Sequence, residues 1–98
     1  MNELTKHQAH DLLRRIEDSR VFITNHAKDR MVERGVTRVQ VLRCLKRGTI
    51  TEGPYQDLAH GTWKLNVEAY TAGDLLTVVA AVNTDENGER IIVVTVMN

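Results

Sequence analysis

Residues 25–48 read NHAKDRMVERGVTRVQVLRCLKRG, and their local signals are the clearest in the chain. The pattern predicts two short helices, over 26–34 and 38–47, joined by a tight turn. Asn25 is the expected N-cap of the first helix, because its side-chain oxygen can accept a free backbone N–H of the opening turn. Gly35 is expected to end that helix, since glycine enters the left-handed cap conformation without a Cβ clash.

Three side chains of the first helix share one face. His26, Arg30 and Arg34 follow each other at intervals of four residues. An imidazole at a helix N-terminus can exchange a proton near neutral pH, and two guanidiniums can bind phosphate oxygens and stabilise a phosphorane. These three residues are the predicted catalytic row of a metal-free ribonuclease. In the structural alternative, His26 only caps the turn and the arginines pair with acids such as Glu52 or Glu68.

A ribonuclease of this kind needs a second acid or base, which the row lacks. Tyr70 and His60 are predicted as further catalytic candidates. Tyr70 shares a strand face with Glu68, and His60 lies on the loop that enters the same strand. The remaining cations of the two helices are predicted to contact nucleic acid: Lys28, Arg38, Arg43, Lys46 and Arg47.

The N-terminal part of the chain predicts one more helix and a short strand. Thr5 and Gln8 have capping-box spacing, so a helix is expected over 6–19. Val21 to Thr24 is β-branched and aromatic, which predicts a strand over 21–24. The buried stripe of the helix is expected to consist of Ala9, Leu12, Leu13 and Ile16.

The sequence pattern of residues 49–97 predicts antiparallel strands. Thr62 to Thr71 alternates apolar and polar residues, and Asn87-Gly88 is a strong hairpin signal. Gly53-Pro54 is expected to stop a first strand, so a loop is predicted after it. The expected strands are 49–52, 62–71, 75–82 and 91–97, with a loop over 55–61. The fold class is therefore predicted as α+β: one domain, 1–98, with N-terminal helices packed on one face of a four- to five-stranded, mainly antiparallel sheet.

Composition excludes several classes of protein. Of 98 residues, 42% are hydrophobic and 27% charged, which is too apolar for a disordered chain. No run approaches the roughly 18 apolar residues of a membrane span, so no membrane association is expected. The N-terminus lacks the order of a secretion signal, and the single cysteine, Cys44, cannot form an internal disulfide. A cytoplasmic protein is expected, with Cys44 as a small buried hydrophobe.

Charge is distributed unevenly although the net charge is zero. Residues 1–48 hold eleven Lys/Arg against six Asp/Glu, and residues 49–98 hold two against seven. This asymmetry favours a polyanionic ligand on the basic side, or else two halves that neutralise each other across the fold. His7 and His10 lack a third metal ligand, and nucleotide-binding and zinc motifs are absent. Neither a metal nor a cofactor is therefore predicted.

A family resemblance adds to this interpretation. The run FITNHAKDRMVERGVTRVQVLRCLKRGTITEGP, followed by GDLLTVVAAVN and IIVVTV, resembles a small bacterial family of uncharacterised domains with an HA-x-x-R-x-x-x-R-G opening and a later G-x-I-x-E stretch. That family is similar to the RelE, BrnT and MqsR toxins of toxin–antitoxin pairs. The resemblance implies a RelE-like fold and an mRNA endonuclease, acting on free or ribosome-bound message and neutralised by a small antitoxin. The family's histidine falls on His26 and its arginines on Arg30 and Arg34.

Two alternatives stay open at this point. The basic helix pair could form a nucleic-acid-binding module without catalysis. The chain could also be a protein-interaction domain, because the apolar strands over 75–82 and 91–97 are suited to homodimerisation or to pairing with a segment of a partner.

Overall fold

The computed structural model describes residues 3–97, and within this range the chain is α+β. The helices, strands and one 3-10 turn follow in this order: α1 (Lys6–Arg15), the turn Asp18–Arg20, β1 (Val21–Ile23), α2 (Asn25–Arg34), α3 (Arg38–Arg47), β2 (Thr49–Asp57), β3 (Thr62–Thr71), β4 (Asp74–Asp85) and β5 (Gly88–Met97). None of the described helices is long and apolar enough to cross a lipid bilayer.

The sheet is mixed and five-stranded, with the order β1-β5-β4-β3-β2. Strands β2 to β5 form an antiparallel meander, while β1 pairs in parallel with β5 at one edge. Helix α2 packs on β5, α3 packs on β3 and β4, and α1 packs on α3 and β2. The predicted α+β class, with helices on one face of a mainly antiparallel sheet, is confirmed.

The core lies between the helices and every second residue of the strands. Leu65 and Val67 of β3 alternate with outward-facing polar neighbours, which is the pattern of a half-buried strand. The predicted stripe of α1 is buried, and so is Cys44 on α3. The largest fully buried side chains are Leu13, Leu45, Ile50, Leu65, Leu76 and Ile91.

Helix α1 ends at Arg15, four residues before the boundary predicted for it. Ile16 still donates its N–H to the Leu12 carbonyl but has an extended backbone, with ψ of 140°. This bend lets Ile16 bury its side chain in the core. The following residues form the 3-10 turn, from which Arg20 reaches the Asp85 carboxylate at 2.7 Å.

The N-cap of α2 is Thr24 and not Asn25, which is the first helical residue. The Thr24 hydroxyl accepts the Ala27 N–H at 3.1 Å and donates to the Val94 carbonyl at 3.2 Å. One side chain thus caps the helix and ties its start to β5, and for this reason the strand predicted over 21–24 is one residue shorter. The left-handed cap at Gly35, with φ of 66°, is confirmed.

Strand β2 continues through Gly53-Pro54 to Asp57, where a loop was expected. Proline is tolerated here because β2 is an edge strand, and the pairing with β3 shifts register around it. Gly53 has a φ of 84°, and a Cβ at this position would collide with the Lys64 carbonyl oxygen. The close approach of β3, and not the end of the strand, therefore requires glycine.

The second face of the sheet is called the open face below. The helices share one core with alternate strand residues, so the residues between them point away from the helices. In β4 these are Leu75, Thr77, Val79, Ala81 and Asn83, and register places Ile92 beside Ala81 and Phe22 beside Ile92.

Candidate nucleic-acid site

The predicted row on α2 is presented at the protein surface. His26 and Arg34 are exposed, whereas Arg30 is partly buried and lies 3.5 Å from the Glu33 carboxylate. Its acidic partner is therefore Glu33, one turn along the same helix. Eight residues of helix separate His26 from Arg34 by about 12 Å, far more than one hydrogen-bond length of about 3 Å. The row can therefore contact several successive phosphates of a nucleic-acid strand but cannot converge on a single phosphate.

The C-terminal end of this row meets the turn between β3 and β4. Arg34 lines a small hollow of about 80 Å³ together with Gln40, Thr71 and Asp74. Gln40 donates to the Thr71 hydroxyl at 3.0 Å, which fixes the start of α3 against the end of β3. Leu75 lines this hollow and also a larger neighbouring one.

The larger hollow, of about 560 Å³, is lined by two of the predicted nucleic-acid-binding arginines and one predicted catalytic residue. Arg43 and Arg47 enter it from consecutive turns of α3, and Tyr70 enters from β3. Sequence analysis predicted all three residues but did not place them together. The lining is Arg43, Arg47, Gly48, Thr49, Thr51, Glu68, Ala69, Tyr70 and Leu75.

Strand register explains why a hollow forms there. Strand β2 begins at Thr49, which pairs with Glu68, so residues 69–71 of β3 continue beyond the start of β2. The sheet is one strand narrower at this point. Gly48 ends α3 directly beside β3. The approach is so close that a Cβ at this position would lie 2.6 Å from the Glu68 carbonyl oxygen. This tight junction brings the last turn of α3 next to Glu68 and Tyr70.

The hollow combines opposite charges with one phenol. Glu68 is half-buried, and the Tyr70 side chain is exposed over 80% of its surface. Burial raises the pKa of the Cys44 thiol to about 11, and the nearby charge of Glu68 adds to this effect. Cys44 therefore stays a neutral thiol in the core, and the ionic groups that line the hollow are Arg43, Arg47 and Glu68.

Two other predicted nucleic-acid-binding cations have partners within the fold. The Lys46 ammonium donates to the Ile16 carbonyl at 2.7 Å and lies 3.5 Å from Asp18. Arg38 donates to the carbonyls of Asp18 and Val21 at 3.4 and 3.3 Å. Both side chains hold α3 against the segment that follows α1. Lys28, the fifth predicted cation, is exposed on α2.

His60 lies at the opposite end of β3 from Tyr70. Its Nδ1 atom is 2.9 Å from the Asp57 carboxylate, and this hydrogen bond is the main reason why the pKa of Asp57 is lowered. The ten residues of β3 span about 30 Å, so the two predicted catalytic candidates are not brought together. Glu68, which shares a strand face with Tyr70, is the acid–base group that does lie beside it.

The described part of the chain contains no cluster of side chains that could bind a metal ion. Among residues 3–97 no three His, Cys, Asp or Glu side chains are grouped so as to hold an ion. His7 and His10 line a hollow with Lys6, and His10 lies 3.4 Å from the Gly48 carbonyl oxygen.

Comparisons with known proteins identify a family. No curated protein and no solved structure matches the chain. One family model, described as a domain of unknown function, DUF4258, matches residues 23–98. The match covers α2, α3 and the strands from β2 onward, including both walls of the arginine-lined hollow, and leaves α1 outside. The chain belongs to the DUF4258 family.

Proposed function

We propose that this protein is a metal-independent endoribonuclease that binds single-stranded mRNA in the hollow between α3 and β3, and that it acts as the toxin of a toxin–antitoxin pair. The observation that carries the proposal is the composition of that hollow. Two guanidiniums, a half-buried carboxylate and an exposed phenol surround one space of about 560 Å³. Phosphate clamps, a proton acceptor and a proton donor are the groups that RNA cleavage without a metal requires.

Each group has a role in the proposed reaction. The Glu68 carboxylate accepts the proton of the ribose 2′-hydroxyl, and the 2′-oxygen attacks the adjacent phosphorus. Arg43 and Arg47 neutralise the additional charge of the phosphorane. The bond from phosphorus to the 5′-oxygen then breaks, Tyr70 gives its hydroxyl proton to that oxygen, and a 2′,3′-cyclic phosphate remains. DNA lacks the 2′-hydroxyl and is therefore not a substrate.

The row on α2 has a different role in this proposal. Arg34 lines the small hollow that adjoins the larger one at Leu75, so an RNA strand leaving the site passes the end of α2. Arg34, Arg30 and His26 then bind successive phosphates along the helix. These contacts position the strand, and they make affinity depend on salt.

Cleavage of a labelled RNA by Glu68→Gln and its matched control, Glu52→Gln, tests the assignment. Both variants change one carboxylate to an amide on neighbouring strands. Glu52 accepts a hydrogen bond from Asn66 at 2.8 Å and lies outside the hollow. Glu68→Gln is expected to slow cleavage by about 10²- to 10⁴-fold, as loss of a general base does, and Glu52→Gln is expected to leave the rate unchanged.

Substrate and metal dependence complete this experiment. A single 2′-deoxy substitution at the cleaved linkage should block the reaction, and EDTA should not. Wild-type protein that leaves mRNA intact, both with and without ribosomes, would overturn the proposal. Loss of cleavage in His26→Ala together with normal cleavage in Glu68→Gln would instead move the reaction to the α2 row.

A non-catalytic RNA-binding function is the second candidate, and the exposure of Tyr70 favours it. An exposed aromatic ring beside two arginines can stack on an unpaired base. In this case Arg43→Ala and Arg47→Ala should each lower the slope of log K against log salt by about 1, without any cleaved product.

The remaining expectations follow from the proposed substrate. Protein that acts on mRNA works in the cytoplasm. A toxin of this class needs a small antitoxin, which is expected to cover the hollow. Co-expression of the product of a short neighbouring gene should therefore relieve growth inhibition and abolish RNA binding.

A further inference from the structure

The open face of the sheet carries most of the large apolar side chains that the described residues leave exposed. Five of the eight lie there, so the exposure is concentrated on one surface. They are Phe22, Tyr55, Tyr70, Leu75 and Met97. At the middle of this face Ala81 and Thr77 are buried by their neighbours, although both point away from the helices. Concentrated apolar exposure of this kind marks an interaction site.

Strand register aligns one row of residues straight across the open face. Phe22 of β1 pairs with Ile92, Ile92 with Ala81, Ala81 with Lys64, and Lys64 with Tyr55 of β2. The row has an exposed aromatic ring at each margin and its smallest side chain at the centre. Phe22 and Tyr55 stand two strands away from β4 on opposite sides, so a half-turn about an axis along β4 exchanges their positions.

We propose that a second copy of this chain packs on the open face, with the two-fold axis parallel to β4. Phe22 of each copy then meets Tyr55 of the other, and this contact occurs twice. Ala81 and Val79 meet their own counterparts at the axis, where small side chains let the two sheets approach to about 10 Å. The contact is self-complementary, as a closed dimer requires.

The charges favour this axis over the perpendicular one. Arg20 and Arg90 both lie 5.7 Å from the centroid of the Phe22 ring and share one acidic partner, Asp85, so the β1 margin of the face keeps one excess positive charge. An axis along β4 places this margin opposite the β2 margin of the second copy, which carries the Glu52 and Asp57 carboxylates, the latter 3.4 Å from Lys64. An axis across the strands would instead bring the two basic margins together, which like-charge repulsion disfavours.

The available area is sufficient for a stable contact. Strands β3, β4 and β5 are paired over nine residues, β2 over six and β1 over three, so at about 4.8 Å per strand and about 3.3 Å per residue the face measures on the order of 600 Å² per copy. A standard interface buries about 800 Å² per partner. The interface is therefore at the lower end of the usual size range, without any contribution from the helices.

The oligomeric state of two matched lysine variants tests the surface. Val79→Lys places two ammonium groups against each other at the axis, and Val32→Lys makes the same change on α2, where Val32 is 83% exposed. Light scattering should show wild type and Val32→Lys at twice the 11.1 kDa of one chain. Val79→Lys should dissociate about 100-fold more readily. A wild type that stays monomeric at high micromolar concentration would overturn the proposal.

Disulfide trapping tests the axis independently of any loss of folding. Protein carrying Phe22→Cys, mixed with protein carrying Tyr55→Cys, should form a covalent dimer under mild oxidation, and each variant alone should not. The natural Cys44 is 1% exposed and does not interfere. Cross-linking of Phe22→Cys to itself would show the perpendicular axis and contradict the proposal. Phe22, Tyr55 and Val79 do not line the arginine-lined hollow, so failure of this test leaves the RNA proposal standing. Tyr70 and Leu75 belong to both surfaces, so the second copy would border the hollow.

Discussion

At the scale of single residues, Cys44 shows how packing controls chemistry. Its Sγ atom lies 3.4 Å from the Val67 carbonyl oxygen and 3.8 Å from that of Leu76, inside the core. Ionisation there would place a thiolate away from water and near the Glu68 charge, and a backbone hydrogen bond with Val78 offsets only part of this effect on the pKa. Catalytic thiols have lowered pKa values, and burial here acts in the opposite direction. Cys44 therefore fills space and is not a nucleophile.

The raised pKa makes stability depend on pH in the alkaline range. Burial raises the pKa of Cys44 from 9.0 to about 11, so the unfolded chain releases this proton first. The contribution of the neutral thiol to the free energy of unfolding is complete below pH 9 and is lost as the pH rises through 11. Two pKa units correspond to about 2–3 kcal/mol.

The comparison with Cys44→Ala isolates this effect from other titrating groups. Urea unfolding should show the difference in unfolding free energy between wild type and Cys44→Ala shrinking steadily between pH 9 and pH 11. A difference that stays constant over this range would mean that the thiol is accessible to water in the folded protein.

At the scale of elements, α3 carries cations with two different roles on neighbouring positions. Lys46 points back to the Ile16 carbonyl at 2.7 Å, whereas Arg47 lines the arginine-lined hollow. Both residues lie in the last turn of α3 and carry one positive charge each. Their roles differ because α1 ends early and sends the chain past one side of α3 only.

Alanine variants of these two neighbours should separate stability from RNA binding. Lys46→Ala removes a charged hydrogen-bond donor from the Ile16 carbonyl and should lower the unfolding free energy by about 1–2 kcal/mol. Arg47→Ala should change stability by less than about 0.5 kcal/mol but reduce the salt dependence of RNA binding by about one ion. Urea denaturation and fluorescence anisotropy measure the two quantities. The proposal for the hollow fails if Lys46→Ala weakens RNA binding as much as Arg47→Ala does.

Local signals predicted most elements because their causes are local. The capping box at Thr5 forms as its spacing predicts, and so does the hairpin that follows Asp85. The errors concern long-range contacts. Thr24 replaces Asn25 as cap because its hydroxyl also reaches β5, and β2 continues through Pro54 because β3 supplies its partner.

The candidate site was predictable in its parts but not in its arrangement. Arg43, Arg47 and Tyr70 each carry recognisable chemistry, and their grouping depends on where β2 begins relative to β3. Helical spacing drew attention to the α2 row, since a row on one helix is visible without any tertiary structure. Glu68 lies next to the two arginines because Gly48 lets the end of α3 approach β3 closely. No local sequence pattern reveals this long-range contact.

At the scale of the whole molecule, α1 lies outside the family match and yet belongs to the core. The match begins at residue 23, but Ala9, Leu12 and Leu13 join the same buried cluster as the sheet. The helix also leads into the segment 16–21, whose backbone carbonyls accept hydrogen bonds from Lys46 and Arg38. It therefore completes the hydrophobic layer over β2 and α3, which the matched part of the chain would otherwise expose.

Removal of this helix should unfold the domain. Burial of each large apolar side chain contributes about 1.5–3 kcal/mol, and α1 with its extension buries Leu12, Leu13 and Ile16 in addition to Ala9. Their sum approaches the 5–15 kcal/mol that stabilise a typical domain. A chain lacking residues 1–19 is expected to lose its cooperative thermal transition and to bind a hydrophobic dye.

A single substitution checks the same argument without a deletion. Leu13→Ala should lower the unfolding free energy by about 2–5 kcal/mol, because Leu13 is fully buried and its removal leaves a cavity. Arg14→Ala, on the exposed side of α1, should change it by less than about 0.5 kcal/mol. If the truncated chain instead melts cooperatively at the wild-type temperature, residues 20–98 form the stable unit. The arginine-lined hollow would then persist without α1, since none of its lining residues belongs to that helix.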